Sequence, residues 1–226
     1  MVTALILAGG KGTRLGSDIP KQYIEVNKKP ILSYCLDVFV NHKGVDKIRI
    51  VADEMWHGYI FEFIKSDKFS GYSLPGETRQ LSIYNGISDI MKTADEKDIV
   101  VIHDGARPNI SEKLLSECIN AVKGHDGSLP VLPMKDTVYI SEDGKKVTSL
   151  IQREKIYAGQ APEAFVIGKY FDANKRLLPD EILKINGSTE PAIMAGMDIA
   201  LIDGDENNFK ITTKSDLEKF KEIMKI

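Results

Sequence analysis

The chain has 226 residues and only two cysteines, Cys35 and Cys118. They are far apart and have no partner at metal-ligand spacing. A disulfide framework and a cysteine-based metal site are therefore excluded, and two buried thiols in a reducing cytoplasm are expected. No stretch approaches the ~20 apolar residues of a membrane span. The opening "MVTALILAGG" lacks a basic leading segment, and its short apolar run ends in a glycine loop, unlike a signal peptide. An excess of positive charge is also missing. Thirty Lys and Arg face 33 Asp and Glu, for a net charge of -3. That balance argues against broad binding to nucleic acid or a membrane surface, so any functional basic residues must be concentrated locally. There is no internal repeat, low-complexity tract or long linker. With 42% hydrophobic and 28% charged residues, the chain reads as one ordinary globular domain spanning 1–226.

What is present is an alternation of apolar runs and helical patterns. "TALILA", "KIRIVAD", "DIVVIHDGARP" and "GSLPVLPM" read as strands, and "YSLPG" as a short one. "KPILSYCLDVFVNH", "WHGYIFEFIKS", "TRQLSIYNGISDIMKTA" and "SEKLLSECINAVKG" read as helices. Thr78 and Ser111 stand at N-cap positions, and Gly124 closes the fourth helix. This order implies an α/β fold: a Rossmann-like, doubly wound, mostly parallel sheet with helices on both faces. Ligands then bind outside the carboxyl ends of the strands. The rhythm breaks at "DTVYISEDGKKVTSLIQ", which alternates with period two about an Asp-Gly turn and reads as a β-hairpin. We expect residues 137–158 to form a projecting arm that packs on a second subunit. "DIALIDGDENNFKITT" then reads as strand, loop and short strand. "KSDLEKFKEIMKI" reads as a last helix capped by Thr213 or Ser215.

The stretch "LILAGGKGTRLGSDIPKQY" places four glycines, Arg14 and Lys21 just after the first strand. Glycines let backbone N–H groups converge on phosphate oxygens. A Walker A loop needs Gly-Lys-Ser or Gly-Lys-Thr, and the chain contains neither. The dinucleotide fingerprint needs a third glycine where Leu15 stands, and nothing in it calls for Arg14 or Lys21. A plain tight turn in a doubly wound fold also fits this stretch taken alone. The remaining match is the nucleotidyltransferase signature, G-x-G-T-R-[LM] followed by Pro-Lys. Gly9, Gly10 and Gly12 would wrap a triphosphate, with Arg14 and Lys21 on its oxygens.

From these residues the chain resembles the cytidylyltransferases that act on 2-C-methyl-D-erythritol 4-phosphate or ribitol 5-phosphate. The resemblance continues through "PGETRQLSIYNGI", "VIHDGARP", "DTV", "REKIYAGQAPEAF" and "NNFKITT", so it covers nearly the whole chain. It implies a CTP-dependent enzyme that joins cytidylate to a polyol phosphate and releases pyrophosphate. Arg14, Lys21 and Lys210 would be catalytic. Ala8, Gly9, Gly10, Gly12, Gly76, Arg79, Ser82, Asp104 and Gly105 would bind the nucleotide, with Gly76, Arg79 and Ser82 lining the cytosine pocket. Asp104 would hold Mg²⁺. Thr137, Arg153 and Glu190 would meet the acceptor, Arg153 from the arm of a homodimer partner. Each has a plainer reading: Ser82 and Asn85 suit a polar helix face, Asp104 a loop cap, Arg153 a solvated hairpin, and Lys210 a side chain reaching solvent. His103 and Arg107 are read as scaffold. Two departures fall on the acceptor side. Ala161 stands where the family has Thr, and Glu190 is the one carboxylate in "INGSTEPA", where the family has a Thr-Asp-Asp or Thr-Asp-Glu cluster. A pyrophosphorylase using UTP or GTP, or a CTP-binding module without turnover, are the competing readings.

Overall fold

Strand β1 (Val2–Leu7) is an almost uninterrupted apolar run, as a strand covered on both faces must be. The computed structural model describes residues 1–10, 12, 16 and 19–225. After the glycine loop come a two-residue ribbon, β2 (Glu25–Val26) and β3 (Lys29–Pro30), then α1 (Ile31–Asn41). The order continues β4 (Lys47–Val51), α2 (Glu54–Phe61), β5 (Phe69–Ser73), α3 (Arg79–Met91), β6 (Ile99–Asp104), α4 (Glu112–Ala121) and β7 (Gly127–Pro133). The arm carries β8 (Val138–Ile140) and β9 (Ser149–Ile151). Then follow β10 (Tyr157–Gly159), β11 (Glu163–Val166), α5 (Ile167–Lys175), α6 (Glu190–Met194), β12 (Ile199–Asp203) and α7 (Lys214–Ile223).

The main sheet runs β10-β7-β11-β6-β1-β4-β5, with β12 also paired to β7. Strands β6, β1, β4 and β5 are mutually parallel, and β12 is parallel to β7. Strands β10 and β11 run antiparallel to their neighbours. The register places Leu7 of β1 opposite both Val51 of β4 and Asp104 of β6. The carboxyl ends of the three central strands therefore stop on one line, and the polar site is built on it.

Alternate residues of the central strands serve two cores. Ala4, Ile6, Ile48, Ile50 and Val101 pack with Leu36, Phe39 and Leu115 on one face. Leu5, Val100 and Ile102 pack with Ile83, Ile87, Phe165 and Tyr170 on the other. A third cluster of Val26, Ile31, Ile211 and Phe220 seats α7. The helix starts follow the sequence signals: Thr78 accepts from Leu81 N–H and Ser111 from Leu114 N–H. For α7 the cap is Thr213, in a reciprocal capping box with Asp216.

Three expectations change. The hairpin exists, but its strands are only three residues each, β8 and β9, and they form a separate sheet. Its turn is closed by Asp143, which accepts from the N–H groups of Lys145 and Lys146. "NFKITT" forms no strand. Ile211 N–H donates to the Ala106 carbonyl at 2.9 Å and its side chain is buried, so the segment is anchored at points rather than along a ladder. Finally, α5 and α6 occupy a region where the sequence pattern marked no helix.

Candidate active site

A cavity of about 530 Å³ opens at the carboxyl ends of β1, β4 and β6. Its floor includes Leu7, Val51 and Asp104, the residues aligned by the register. Gly9, Gly10, Gly12, Lys21 and Gln22 form one wall, Gly76, Glu77, Thr78, Arg79 and Ser82 another, and Lys210 reaches in from the segment before α7. This position follows from the fold, because strand ends leave backbone groups and loops facing outward.

The glycine wall is held by the residues after it. Gln22 Nε2 donates to the carbonyls of Ala8 and Gly10, and Tyr23 Oη donates to Ala8 at 2.8 Å. Tyr23 in turn stacks on Trp56 at 4.1 Å. Gly12 has φ +66°, and a Cβ there would stand 2.8 Å from the Lys21 amide nitrogen. Only glycine fits both constraints. A Cβ on Gly9 would stand 2.6 Å from Pro75 Cβ, whereas one on Gly10 would meet nothing within 4 Å, so Gly10 is the glycine that faces open space among the described residues. The motif reading singled out Gly and Lys; the role of Gln22 was missed, although its place in "PKQY" beside a glycine loop was the available signal.

Asp104 is the electrostatic centre. Its side chain is only 9% exposed. Arg79 Nε donates to Oδ1 at 3.0 Å, while Lys210 Nζ lies 3.0 Å and Arg107 Nε 3.5 Å from Oδ2. Burial opposes its charge, but Arg79, Lys210 and Arg107 together hold the carboxyl far below the usual carboxylate range. Among the described residues, Arg79, Arg107, Lys210 and the wall residue Lys21 outnumber the nearby carboxylates Asp104, Glu163 and Glu77 by one, which suits a polyanionic ligand. Arg107 is also bound to the Asn208 carbonyl at 2.7 Å, in keeping with a scaffold role. His103 is fully buried, and its Nε2 donates to the Arg107 carbonyl at 3.0 Å. Burial lowers its pKa to about 4, so the ring is neutral at pH 7.

The remaining expected residues divide into four groups. Arg14 lies outside the described residues. Ala8 and Gly105 sit behind the cavity wall: Ala8 N–H donates to the Val51 carbonyl and Gly105 N–H to the Leu7 carbonyl. Ser82 lines the cavity, but its hydroxyl accepts from Gly76 N–H at 3.0 Å and donates to the Thr78 carbonyl, so it also shapes the turn before α3. Thr137, Arg153 and Glu190 do not line the cavity. Thr137 is exposed. Arg153 is exposed on the arm side and donates to the Lys135 carbonyl at 3.0 Å. Glu190 accepts from Asn186 N–H at 2.9 Å at the start of α6. Ala161 is buried, and its carbonyl accepts from Asn208 Nδ2 at 2.6 Å.

The family described as "IspD: 2-C-methyl-D-erythritol 4-phosphate cytidylyltransferase" matches residues 2–225. A ribitol-5-phosphate cytidylyltransferase of Lacticaseibacillus paracasei is 35% identical, over 100% of this chain and 98% of that protein. A 2-C-methyl-D-erythritol 4-phosphate cytidylyltransferase of Clostridium beijerinckii is 33% identical, over 96% and 95%. Among solved structures, a 4-diphosphocytidyl-2C-methyl-D-erythritol synthase from Anaerococcus prevotii superposes with a TM-score of 0.85 at 26% identity, covering 100% of this chain and 96% of that one.

Proposed function

The chain belongs to the 2-C-methyl-D-erythritol 4-phosphate cytidylyltransferase family, and from that premise we propose that it transfers the cytidylyl group of CTP to a polyol phosphate, ribitol 5-phosphate or 2-C-methyl-D-erythritol 4-phosphate, releasing pyrophosphate. The observation that carries the reading is the glycine-walled cavity, lined by Lys21, in which Arg79 and Lys210 meet Asp104.

A phosphate oxygen of the acceptor attacks the α-phosphorus of CTP, and pyrophosphate departs on the opposite side. The acceptor phosphate has a second pKa of ~6, so it is already anionic at neutral pH and needs no general base. His103, the titratable ring nearest Asp104 in sequence, is neutral and faces away into a backbone contact. Catalysis is then orientation and charge stabilisation. Gly9, Gly10 and Gly12 admit the triphosphate to the backbone, while Lys21 and Lys210 place positive charge on it. Arg14 is assigned the same task from the motif. Gly76, Arg79 and Ser82 face the base.

Asp104 is the residue that would hold Mg²⁺: its carboxylate is ionised and lines the cavity, and the ion would take an oxygen now shared with Arg79 or Lys210. Mg²⁺ typically takes few protein carboxylates beside phosphate and water oxygens. Among the described residues no group of three His, Cys, Asp or Glu side chains could hold a metal ion. A Mg²⁺ ion bound there supplies neutralisation of charge on the phosphate oxygens.

Residues 1–226 are read as one nucleotidyltransferase domain, with 137–158 as the dimerisation arm. Tyr139 and Leu150 are 59% and 63% exposed on a two-stranded sheet that is marginal alone, and Val147 in its connection is 66% exposed. A second copy covering them would bring Thr137 and Arg153 toward an acceptor. A monomer at micromolar concentration in light scattering would remove that role. Buried free thiols at Cys35 and Cys118 support a cytoplasmic setting, and no helix among the described residues is long and apolar enough to cross a membrane.

The test is pyrophosphate release with CTP, UTP and GTP in turn, each with Mg²⁺ and both polyol phosphates. Release with CTP alone is expected. Equal release with UTP or GTP would overturn the base assignment.

A further inference from the structure

Glu163 is a buried carboxylate with no part in the chemistry above. It opens β11, opposite Ile102 of β6, and is 7% exposed. Both of its oxygens are occupied by hydroxyls: Ser188 Oγ donates to Oε1 at 2.5 Å and Thr189 Oγ1 to Oε2 at 2.9 Å. Ser188 Oγ also accepts from Arg79 Nη1 at 2.7 Å. A guanidinium has only donors, so the hydroxyl must accept from Arg79, and its single proton is directed to Glu163. The order Arg79 → Ser188 → Glu163 is therefore fixed by chemistry.

Arg79 is consequently held at two points. Nε is bound to Asp104 at 3.0 Å and Nη1 to Ser188. Two of its five N–H groups are committed among the described residues, and a planar group fixed at two points has a defined plane. Ser188 itself is anchored from behind: Tyr170 Oη donates to its carbonyl at 2.6 Å, and Gln80 Nε2 donates to Tyr170 Oη at 3.0 Å. Burial pushes the Glu163 carboxyl above its ordinary range, and Arg79, Ser188 and Thr189 offset part of that cost.

We propose that Glu163 is a positioning residue for CTP, acting through Ser188 to fix the plane of the Arg79 guanidinium in the cavity wall. This rests on the reading of that cavity as the CTP site. Glu163 has no direct contact with the cavity, so its effect must travel through the Ser188 hydroxyl. Removing either Glu163 or Ser188 frees one edge of Arg79 and should weaken nucleotide binding to the same extent. Thr189 shares the carboxylate but has no bond to Arg79, so removing its hydroxyl should leave binding intact.

The experiment is calorimetric titration of CTP with Mg²⁺ into wild type, Glu163→Gln, Ser188→Ala, the double variant and Thr189→Val, with thermal unfolding of each. Glu163→Gln and Ser188→Ala are each expected to raise the CTP Kd by about five- to tenfold, the scale of one ordinary hydrogen bond. The double variant should be no weaker than either single one, and Thr189→Val should stay within about twofold of wild type. A purely structural role would lower the melting temperature of all four variants and leave the Kd of the folded protein unchanged, which would overturn the proposal. Additive losses in the double variant, or equal weakening by Thr189→Val, would overturn it too. If Glu163→Gln does not fold, the contrast between Ser188→Ala and Thr189→Val carries the test. Failure of wild type to bind CTP would instead overturn the reading of the cavity.

Discussion

Replacing Asp104 by Asn keeps its size and removes its charge. In the structure this carboxylate faces Arg79 and Lys210 at 3.0 Å and Arg107 at 3.5 Å, with its side chain almost wholly buried. Unit charges ~4 Å apart attract by ~4 kcal/mol at an effective dielectric of ~20. Desolvation of the ions offsets much of the sum of three such contacts, and loss of one partner from a buried ion pair costs about 3–5 kcal/mol. For a chain of this size that corresponds to a melting-temperature drop of roughly 6–20 °C. The pH dependence carries the sign. Asp104 has a folded pKa depressed below its unfolded value of ~3.9, so its ionisation stabilises the protein above pH ~4. That contribution is lost as pH falls below ~4 toward the folded pKa. Asn cannot titrate. Urea unfolding should therefore show a gap between wild type and Asp104→Asn that is full at pH 7 and narrows below pH ~4. A gap under 1 kcal/mol at pH 7, or one that widens on acidification, would refute the electrostatic account of the site.

Lys210→Ala should lower pyrophosphate release by about 10²–10³-fold, the usual cost of one lost charge-stabilising group. Because Asp104 retains Arg79 and Arg107, steady-state assays and thermal melts together should show the rate falling much further than stability. Gln22→Ala removes the two Nε2 bonds to the Ala8 and Gly10 carbonyls, leaving Ala8 with Tyr23 Oη, and should cost about 1–3 kcal/mol in urea unfolding. It should also raise the KM for CTP before that for the acceptor, which steady-state kinetics would detect. Burial pushes the Cys35 and Cys118 thiols up to about 12. Both should resist a disulfide exchange reagent in native protein at pH 8 and react promptly in denaturant, and rapid native labelling would contradict their placement.

The parallel core was legible because its strands are apolar on both faces and its helices carry capping residues. "TALILA" and "KIRIVAD" fall on β1 and β4, and Thr78 caps α3. The glycine loop and "HDGARP" were placed correctly at the strand ends, because that follows from βαβ geometry alone. The stretch from 153 to 197 was less legible. Helix α5 buries polar Asn174 against Gln80 as well as apolar residues, which blurs its periodicity. The two antiparallel strands β10 and β11 are short and follow no hairpin signal. "NFKITT" has the composition of a strand, yet the Ile211 backbone bond, the Asn208 bonds to Arg107 and Ala161 and burial in the third core position it instead. At the cavity, Lys21, Arg79, Asp104 and Lys210 are lining residues that type and motif had singled out. Gln22 and Glu163 were not, since their roles rest on contacts with residues that sequence spacing does not connect: Glu163 reaches Arg79 only through Ser188.

The most direct test of the account is phosphorus NMR of CTP, Mg²⁺ and enzyme with ribitol 5-phosphate or 2-C-methyl-D-erythritol 4-phosphate. The account predicts that the phosphomonoester signal of one acceptor is replaced by the paired signals of a pyrophosphate diester, with free pyrophosphate appearing in step. CTP that binds yet yields no diester with either acceptor, or that is only hydrolysed, would contradict it.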